Sequence, residues 1–500
     1  METTTITLHT KFQIDKVDPR IFGGFLEHMG RAVYEGVYDP DCVRADEDGF
    51  RTDVMAALRR LNMPGMRYPG GNFVSGYHWM DGVGPREQRP RRKEPAWKSV
   101  ETNQFGTDEF CKLCRKMRWE PMMAVNLGTG TAEEARNWVE YCNGPTGTEY
   151  GDMRAAHNGT HEPYGVKLWF LGNEMDGDWQ QGHVPADQYA ARATEAAKAM
   201  REVDESIELV TCGSCNPYLP TYMEWDQQVL QGTGDLTDYL SLHRYVGNSD
   251  SDTPDFLAVT NAIDRQIEEM DAVCRFIQAK RRSKKRTCLS FDEWNVWYKN
   301  MEMDGNGQTA PHLIEEVYNL EDALVVAGFL SSFIRHADVV KIANIAQIVN
   351  VIAPILTRGD DMLIQSIFYP FEMFSRRREG VSLRLVVDGP TYEGKSNGLV
   401  HTIDTSAILN DDKLHVFATN RSLDESASVH VQLADGDITT LDSAELLTGP
   451  DAKAANSFEQ PDVVVSRSFA DAGVDVRIVE GEASLELPPL SVAAMTFNIG

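Results

Sequence analysis

The chain has 500 residues, 42% of them hydrophobic, and a formal net charge of −28. At about 150 residues per domain, this length predicts two to four domains, or one large barrel with a smaller partner. So acidic a surface disfavours nucleic acid and anionic membranes as partners, whereas neutral sugars, held by hydrogen bonds and aromatic faces, remain compatible with it.

The opening residues Met1–Leu8 have neither the basic start nor the apolar core of a secretory signal, and no apolar run nears the roughly 20 residues of a membrane span. A cytoplasmic location is therefore expected. Thr5–Ile14 is strand-like. From there, short β-rich apolar runs alternate with helical patterns. The runs are Ile21–Glu27, Gly65–Pro69, Pro121–Leu127, Val166–Leu171, Ile207–Cys212, Tyr239–Leu242, Thr287–Phe291 and Val339–Ile345. Between them, Phe50–Leu61 places Val54, Leu58 and Leu61 at helical spacing, and Asp108–Trp119 also reads as helical. Thr131–Tyr141 opens with the Thr131/Glu134 capping spacing. Pro185–Val203 is Ala-rich, Phe256–Arg282 is long and amphipathic, and Leu320–Arg335 is largely apolar.

Eight strands alternating with helices predict an α/β fold, a closed (β/α)8 TIM barrel, over residues 16–381. An open doubly wound sheet would carry a G-x-G-x-x-G turn, and none is present. After Ser382 helical periodicity stops. Leu383–Val387, Leu399–Ile408, Lys413–Thr419, Ser428–Leu433, Ile438–Leu447, Asp475–Ile478, Ala483–Leu487 and Val492–Phe497 read as an all-β, antiparallel, jelly-roll-like sandwich over residues 382–500. Residues 1–15 are expected to supply a strand to it. The eight cysteines include two C-x-x-C pairs, Cys111/Cys114 and Cys212/Cys215. They lie too far apart in sequence for the usual zinc spacing, so structural free thiols are expected, with no metal and no cofactor.

Barrel enzymes carry their chemistry at the C-terminal ends of strands. There the sequence places Glu27 and His28, Arg67 to Asn72, Asn126, Asn173 and Glu174, His243 to Tyr245, Asp292 to Asn295, and Asn344 with Gln347. Each has a structural explanation taken alone: Asn173 as a helix cap, Glu27 as an ion pair to Arg67, His243 as a core histidine. Together, so many costly polar groups on one rim point to an active site. Glu174 and Glu293 are the carboxylate pair that glycoside hydrolysis needs, one to deliver a proton and one to meet the oxocarbenium-like carbon. Asp292 rivals Glu293, but strand alternation turns it outward from the lumen. A serine elbow for ester hydrolysis is absent.

The blocks Phe22–His28, Met66–Phe73, Trp169–Glu174, Asp292–Asn295 and Asn344–Asn350 together resemble the family 51 α-L-arabinofuranosidases, across residues 22 to 350. The resemblance implies an exo-acting, retaining α-L-arabinofuranosidase acting on arabinose-containing oligosaccharides. It implies Glu174 as acid/base and Glu293 as nucleophile. Glu27, Asn72, Asn173 and Gln347 would hold the sugar hydroxyls, His243 and Tyr245 would orient the carboxylates, and Trp297 would line the pocket, with Arg67 in support. A homo-oligomer, often a hexamer, is typical of the family. Competing readings are another retaining clan member, such as an endo-glucanase or xylanase, and a non-catalytic carbohydrate-binding protein.

Overall fold

The computed structural model describes residues 3–500. Eight parallel strands close into a barrel: Gly23–Phe25, Gly65–Tyr68, Glu120–Val125, Leu168–Leu171, Glu208–Thr211, Tyr239–Val246, Cys288–Val296 and Val340–Ala346. Each pairs with the next in parallel, and Val340–Ala346 pairs with Gly23–Phe25 to close the ring. The first strand is only three residues long. Its Gly23 lets the neighbouring strand in close: a Cβ there would lie 2.3 Å from Asn344 Nδ2.

The helices follow the apolar periodicity. Thr131 caps Ala132–Asn143 through a hydrogen bond from the Glu134 amide at 3.1 Å. Pro185 sits just before Ala186–Val203, where its missing N–H costs nothing. The stretch expected as one helix over Phe256–Arg282 is two, Thr253–Leu257 and Thr260–Arg281. Asp252 caps the first and Pro254 starts it, so the chain turns at Ala258–Val259 before the long helix begins. Leu320–Arg335 is buried along almost its whole length and packs against both the barrel and the strand Ile403–Asn410.

The C-terminal region is a sandwich of a five-stranded and a seven-stranded sheet. Thr3–Leu8 lies inside the five-stranded sheet, between Val386–Asp388 and Ala427–Leu433, and Gln13–Lys16 edges the other sheet beside Val381–Leu383. The expected antiparallel sandwich is antiparallel at every joint but one: Thr3–Leu8 runs parallel to Ala427–Leu433, because it arrives from the far end of the chain and not by a hairpin. The single run expected over Leu399–Ile408 divides. Gly398–His401 forms a hairpin with Thr391–Gly394, and Ile403–Asn410 enters the seven-stranded sheet. Arg335 ties the layers together through ion pairs to Asp264 and Asp404, each at 3.0 Å. Phe374 stacks on Phe417 with ring centroids 4.0 Å apart. Among the described residues no helix is long and apolar enough to cross a membrane.

Candidate active site

The polar strand ends meet at one mouth of the barrel, around a cavity of about 950 Å³. Its lining includes Glu27, Asn72, Trp97, Glu174, Tyr245, Glu293, Trp297 and Gln347. Two of the strands run further than their apolar runs predict. Tyr239–Val246 and Cys288–Val296 continue through His243, Tyr245 and Glu293, so these groups stand on rigid backbone and not on loops. Local hydrophobicity ends at Leu242 and Phe291, but parallel pairing carries both strands on.

The seventh strand holds the main departure from the sequence reading. Opposite Ser241 to His243 it spends three steps, Ser290 to Glu293, where its neighbour spends two. On its other side Phe291 to Trp294 faces Ala343 to Ile345 with the same mismatch. One extra residue is therefore accommodated as a β-bulge, and alternation breaks there. Asp292, expected to face outward, instead turns inward beside Glu293. It is 1% exposed, with Oδ2 3.3 Å from Arg67 Nε and 3.4 Å from His243 Nε2. Burial raises the Asp292 carboxyl, but the charge of Arg67 and the hydrogen bond and charge of His243 together outweigh it and hold the carboxyl below its usual range.

Arg67 is the hub. Its Nη1 donates to Glu293 Oε1 at 2.7 Å and its Nη2 to Asn173 Oδ1 at 2.7 Å. Its guanidinium also lies over the rings of Phe25, 4.4 Å from the centroid, and Phe170, 5.0 Å away. A buried cation is tolerable only with such partners. The Glu27–Arg67 ion pair, the structural alternative for Glu27, is not formed. Glu27 instead accepts from the Phe73 amide at 3.0 Å, Trp97 Nε1 at 3.2 Å and Gln347 Nε2 at 3.2 Å, while its own amide donates to Gln347 Oε1 at 2.9 Å. Burial, and then the charge of Glu293, push its carboxyl up to about 8. Asn72 opens the short turn after the second strand and lines the cavity.

The remaining donors converge on the two expected carboxylates. Tyr245 donates its hydroxyl to Glu293 Oε2 at 2.8 Å, and its ring packs edge-on against Trp297 with centroids 5.5 Å apart. Glu174 follows the fourth strand with a left-handed backbone, φ 45°, which swings it into the cavity. Its Oε1 lies 2.9 Å from His243 Nδ1, and its Oε2 accepts from Trp179 Nε1 at 2.9 Å. Burial opposes charge on His243, but Glu293, Asp292 and Glu174 surround it and raise its pKa well above the ordinary imidazole value, favouring imidazolium. Glu174, His243 and Glu293 each offer an atom within 4.8 Å of the others. Three ligands at that spacing resemble a metal site, but Arg67 and Tyr245 already occupy both Glu293 oxygens, and an imidazolium repels a cation. Neither C-x-x-C pair takes part in such a cluster among the described residues, and no disulfide forms among them.

Gly71 marks the centre. A Cβ there would stand 2.9 Å from Glu293 Oε1, 3.3 Å from Glu27 Oε2 and 3.5 Å from Asn173 Nδ2, so any side chain at this position would crowd the Glu293 carboxylate. Asn173 Nδ2 is buried without a partner, a donor left for a ligand oxygen. The sequence reading missed Trp97, Trp179, Cys215 and Tyr218 as lining residues. They sit in loops without periodicity. The signal that was there is a tryptophan in a turn-rich segment: Glu94-Pro95-Ala96-Trp97, and Asp176-Gly177-Asp178-Trp179 directly after Glu174.

Paired carboxylates across the mouth of a (β/α)8 barrel, above a pocket of amide and acid groups, define a glycoside hydrolase site. Comparison with known proteins narrows the class. Residues 57–262 match the α-L-arabinofuranosidase 1 domain and residues 292–491 the α-L-arabinofuranosidase C-terminal domain. The intracellular exo-α-(1→5)-L-arabinofuranosidase 1 of Bacillus subtilis is 46% identical over 93% of this chain and 94% of its own. The exo-α-(1→6)-L-arabinofuranosidase of Bifidobacterium longum is 40% identical over 99% and 97%. A solved family 51 α-L-arabinofuranosidase from Bifidobacterium longum superposes with a TM-score of 0.94 at 34% identity, covering all of both chains. The chain belongs to the family 51 α-L-arabinofuranosidases. The barrel-plus-sandwich architecture is as expected, and the endo-glucanase, xylanase and non-catalytic readings are set aside.

Proposed function

We propose that this exo-acting α-L-arabinofuranosidase works by retaining double displacement, with Glu174 as acid/base and Glu293 as nucleophile. The carrying observation is the approach of the two carboxylates: an oxygen of each lies within 4.8 Å of the other. Retaining enzymes hold the groups about 5–5.5 Å apart, and inverting ones about 6.5–9.5 Å to admit water. Partners support the assignment of roles. Glu293 lies deep, gripped by Arg67 and Tyr245, where an anion is stabilised and aimed. Glu174 is less enclosed and faces the mouth, where a leaving group departs.

A terminal arabinofuranose seats with its hydroxyls among Glu27, Asn72, Asn173 and Gln347. Glu174 gives its proton to the glycosidic oxygen as Glu293 attacks the anomeric carbon, and the alcohol leaves. Glu174, now a carboxylate, takes a proton from water, which attacks the arabinosyl ester and frees Glu293. The Asn173 amide donates to the 2-hydroxyl more strongly as the carbon becomes cationic. His243 orients Glu174, and Trp297 backs Tyr245. Arabinan and arabinoxylan fragments are the substrate class, and the linkages named for the relatives, 1→5 and 1→6, are the pair to compare first. An intracellular, cytoplasmic location follows the naming of the Bacillus subtilis relative, and a homo-oligomer, a hexamer by family resemblance, is read by light scattering.

The test is proton NMR of an aryl α-L-arabinofuranoside during hydrolysis. The first product is the α-anomer; an initial β-anomer refutes retention. Glu293→Ala abolishes turnover. Glu174→Ala is partly rescued by azide, giving an α-L-arabinofuranosyl azide. Full activity in Glu293→Ala removes the nucleophile.

A further inference from the structure

A smaller cavity, of about 260 Å³, shares no lining residue with the catalytic one. It lies where the segment after the second strand, Gly84 to Arg89, meets the helices Thr107–Met117 and Glu149–Asn158. On a chain of net charge −28 its lining is a local exception. Arg86, Arg89, Lys112 and Arg115 line it, against two carboxylates, Asp108 and Glu109.

Both carboxylates already have their donors. Glu109 accepts from Arg86 Nε at 3.0 Å, from Arg89 Nη1 at 2.9 Å and Nη2 at 3.0 Å, and from the Gly106 amide at 2.9 Å. Asp108 accepts from the hydroxyls of Tyr164 at 2.7 Å and Tyr141 at 3.0 Å. Donors are left over. Neither Nη of Arg86 has a hydrogen-bond partner among the described residues. Arg115 makes no ion pair among them; its guanidinium lies over the Tyr164 ring, 5.0 Å from the centroid. The fully buried Arg154 lies 5.9 Å from the same centroid and meets only backbone carbonyls, those of Tyr141, Gly144, Thr160 and His161. His157, at the end of its helix, turns its ring towards Gly84, and its Nδ1 is buried without a partner.

A buried nitrogen without a partner and guanidinium groups without counter-ions all await an acceptor. Guanidinium forks match the oxygens of a phosphate, and donors arriving from three chain segments suit a tetrahedral group better than a flat carboxylate. The lining carries two more positive charges than negative ones, which a dianion balances. We infer that this cavity binds a phosphate dianion, either free or as the phosphate ester of a small sugar. The segment that carries Arg86 and Arg89 runs on to Trp97 at the catalytic cavity, so a bound anion fastens the base of that loop to the two helices.

The test is calorimetric titration of the full chain at about pH 7.5, where a phosphate monoester is a dianion. The probes are inorganic phosphate and ribose 5-phosphate. At least one binds one-to-one with Kd below about 1 mM and raises the thermal midpoint; no saturable heat with either overturns the inference. Binding of ribose 5-phosphate about tenfold tighter than phosphate identifies the ester as occupant, and equal or weaker binding identifies free phosphate. Arg115→Ser weakens the tighter probe about tenfold or more, the loss of one charge-assisted hydrogen bond, and leaves the midpoint of the free protein unchanged. An unchanged affinity overturns the site. So does an equal weakening by Lys198→Ser, an exposed charge on the helix Ala186–Val203, since only total charge would then be felt. Competitive inhibition of arabinobiose hydrolysis by phosphate places the anion at the catalytic mouth instead and also overturns it.

Discussion

Replacing Tyr245 with phenylalanine removes one hydroxyl and keeps the ring that packs on Trp297. That hydroxyl is the close donor to Glu293 Oε2, at 2.8 Å; the next, His243 Nδ1, is 3.7 Å away. A hydrogen bond to a charged group contributes about 1.5–3 kcal/mol. The two half-reactions feel its loss differently. When Glu293 attacks, its charge is spent, so the missing donor costs little. When the arabinosyl ester is hydrolysed, Glu293 departs as a carboxylate whose growing charge the hydroxyl would have met. At about 1.4 kcal/mol per factor of ten, the second step slows by about 10- to 160-fold. The covalent intermediate then accumulates. With a dinitrophenyl arabinofuranoside in a stopped-flow instrument, Tyr245→Phe shows a burst of nearly one phenol per site, followed by slow turnover, with KM lowered in parallel. A reduced kcat without a burst, or an unchanged kcat, refutes this account of Tyr245.

Glu27 gives a pH signature. Its folded pKa, about 8, stands above the ordinary glutamate value of 4.5, so between those values the folded chain binds more protons than the unfolded one. Stability therefore falls as pH rises from about 4.5 through 8. Glu27→Gln removes this slope, and its thermal midpoint gains on the wild type between pH 5 and 8; parallel curves for the two proteins contradict the raised pKa. Arg67→Met leaves Glu293 and Asp292 buried without their cation. Breaking a buried pair costs about 3–5 kcal/mol. The guanidinium midpoint drops accordingly, and a midpoint within error of the wild type shows that Arg67 is not the hub described here.

The sequence makes the barrel legible because its strands are buried on both faces and so read as short apolar runs. It makes Glu174 legible because the run Val166–Leu171 stops just before it. It hides what depends on a neighbouring strand. Nothing in Phe291-Asp292-Glu293-Trp294 announces an extra residue; the bulge exists only against the strands on either side, and with it the inward turn of Asp292. The lengths of the sixth and seventh strands are hidden for the same reason, since backbone pairing continues after hydrophobicity ends. The break at Ala258–Val259 is masked by apolar residues on both sides, and only Asp252-Thr253-Pro254 signals the earlier start. Trp97 and Trp179 reach the cavity through loop conformation, to which periodicity is blind.

The strand Thr3–Leu8 has a temporal meaning. It lies between partners at Val386–Asp388 and Ala427–Leu433, so it waits for more than four hundred further residues to be made before its sheet can form. Meanwhile it is an alternating strand with open edges, held beside a barrel that is assembling. Synthesis at about 5–20 residues per second makes that interval at least about 20 seconds. Thr3, Thr5 and Thr7 keep one face polar and soluble during the delay, and on the other face, beside Thr4, only Ile6 and Leu8 must stay out of other cores. Production of the intact enzyme is thus sensitive to substitutions within Thr3–Leu8, far from the residues that cut the sugar.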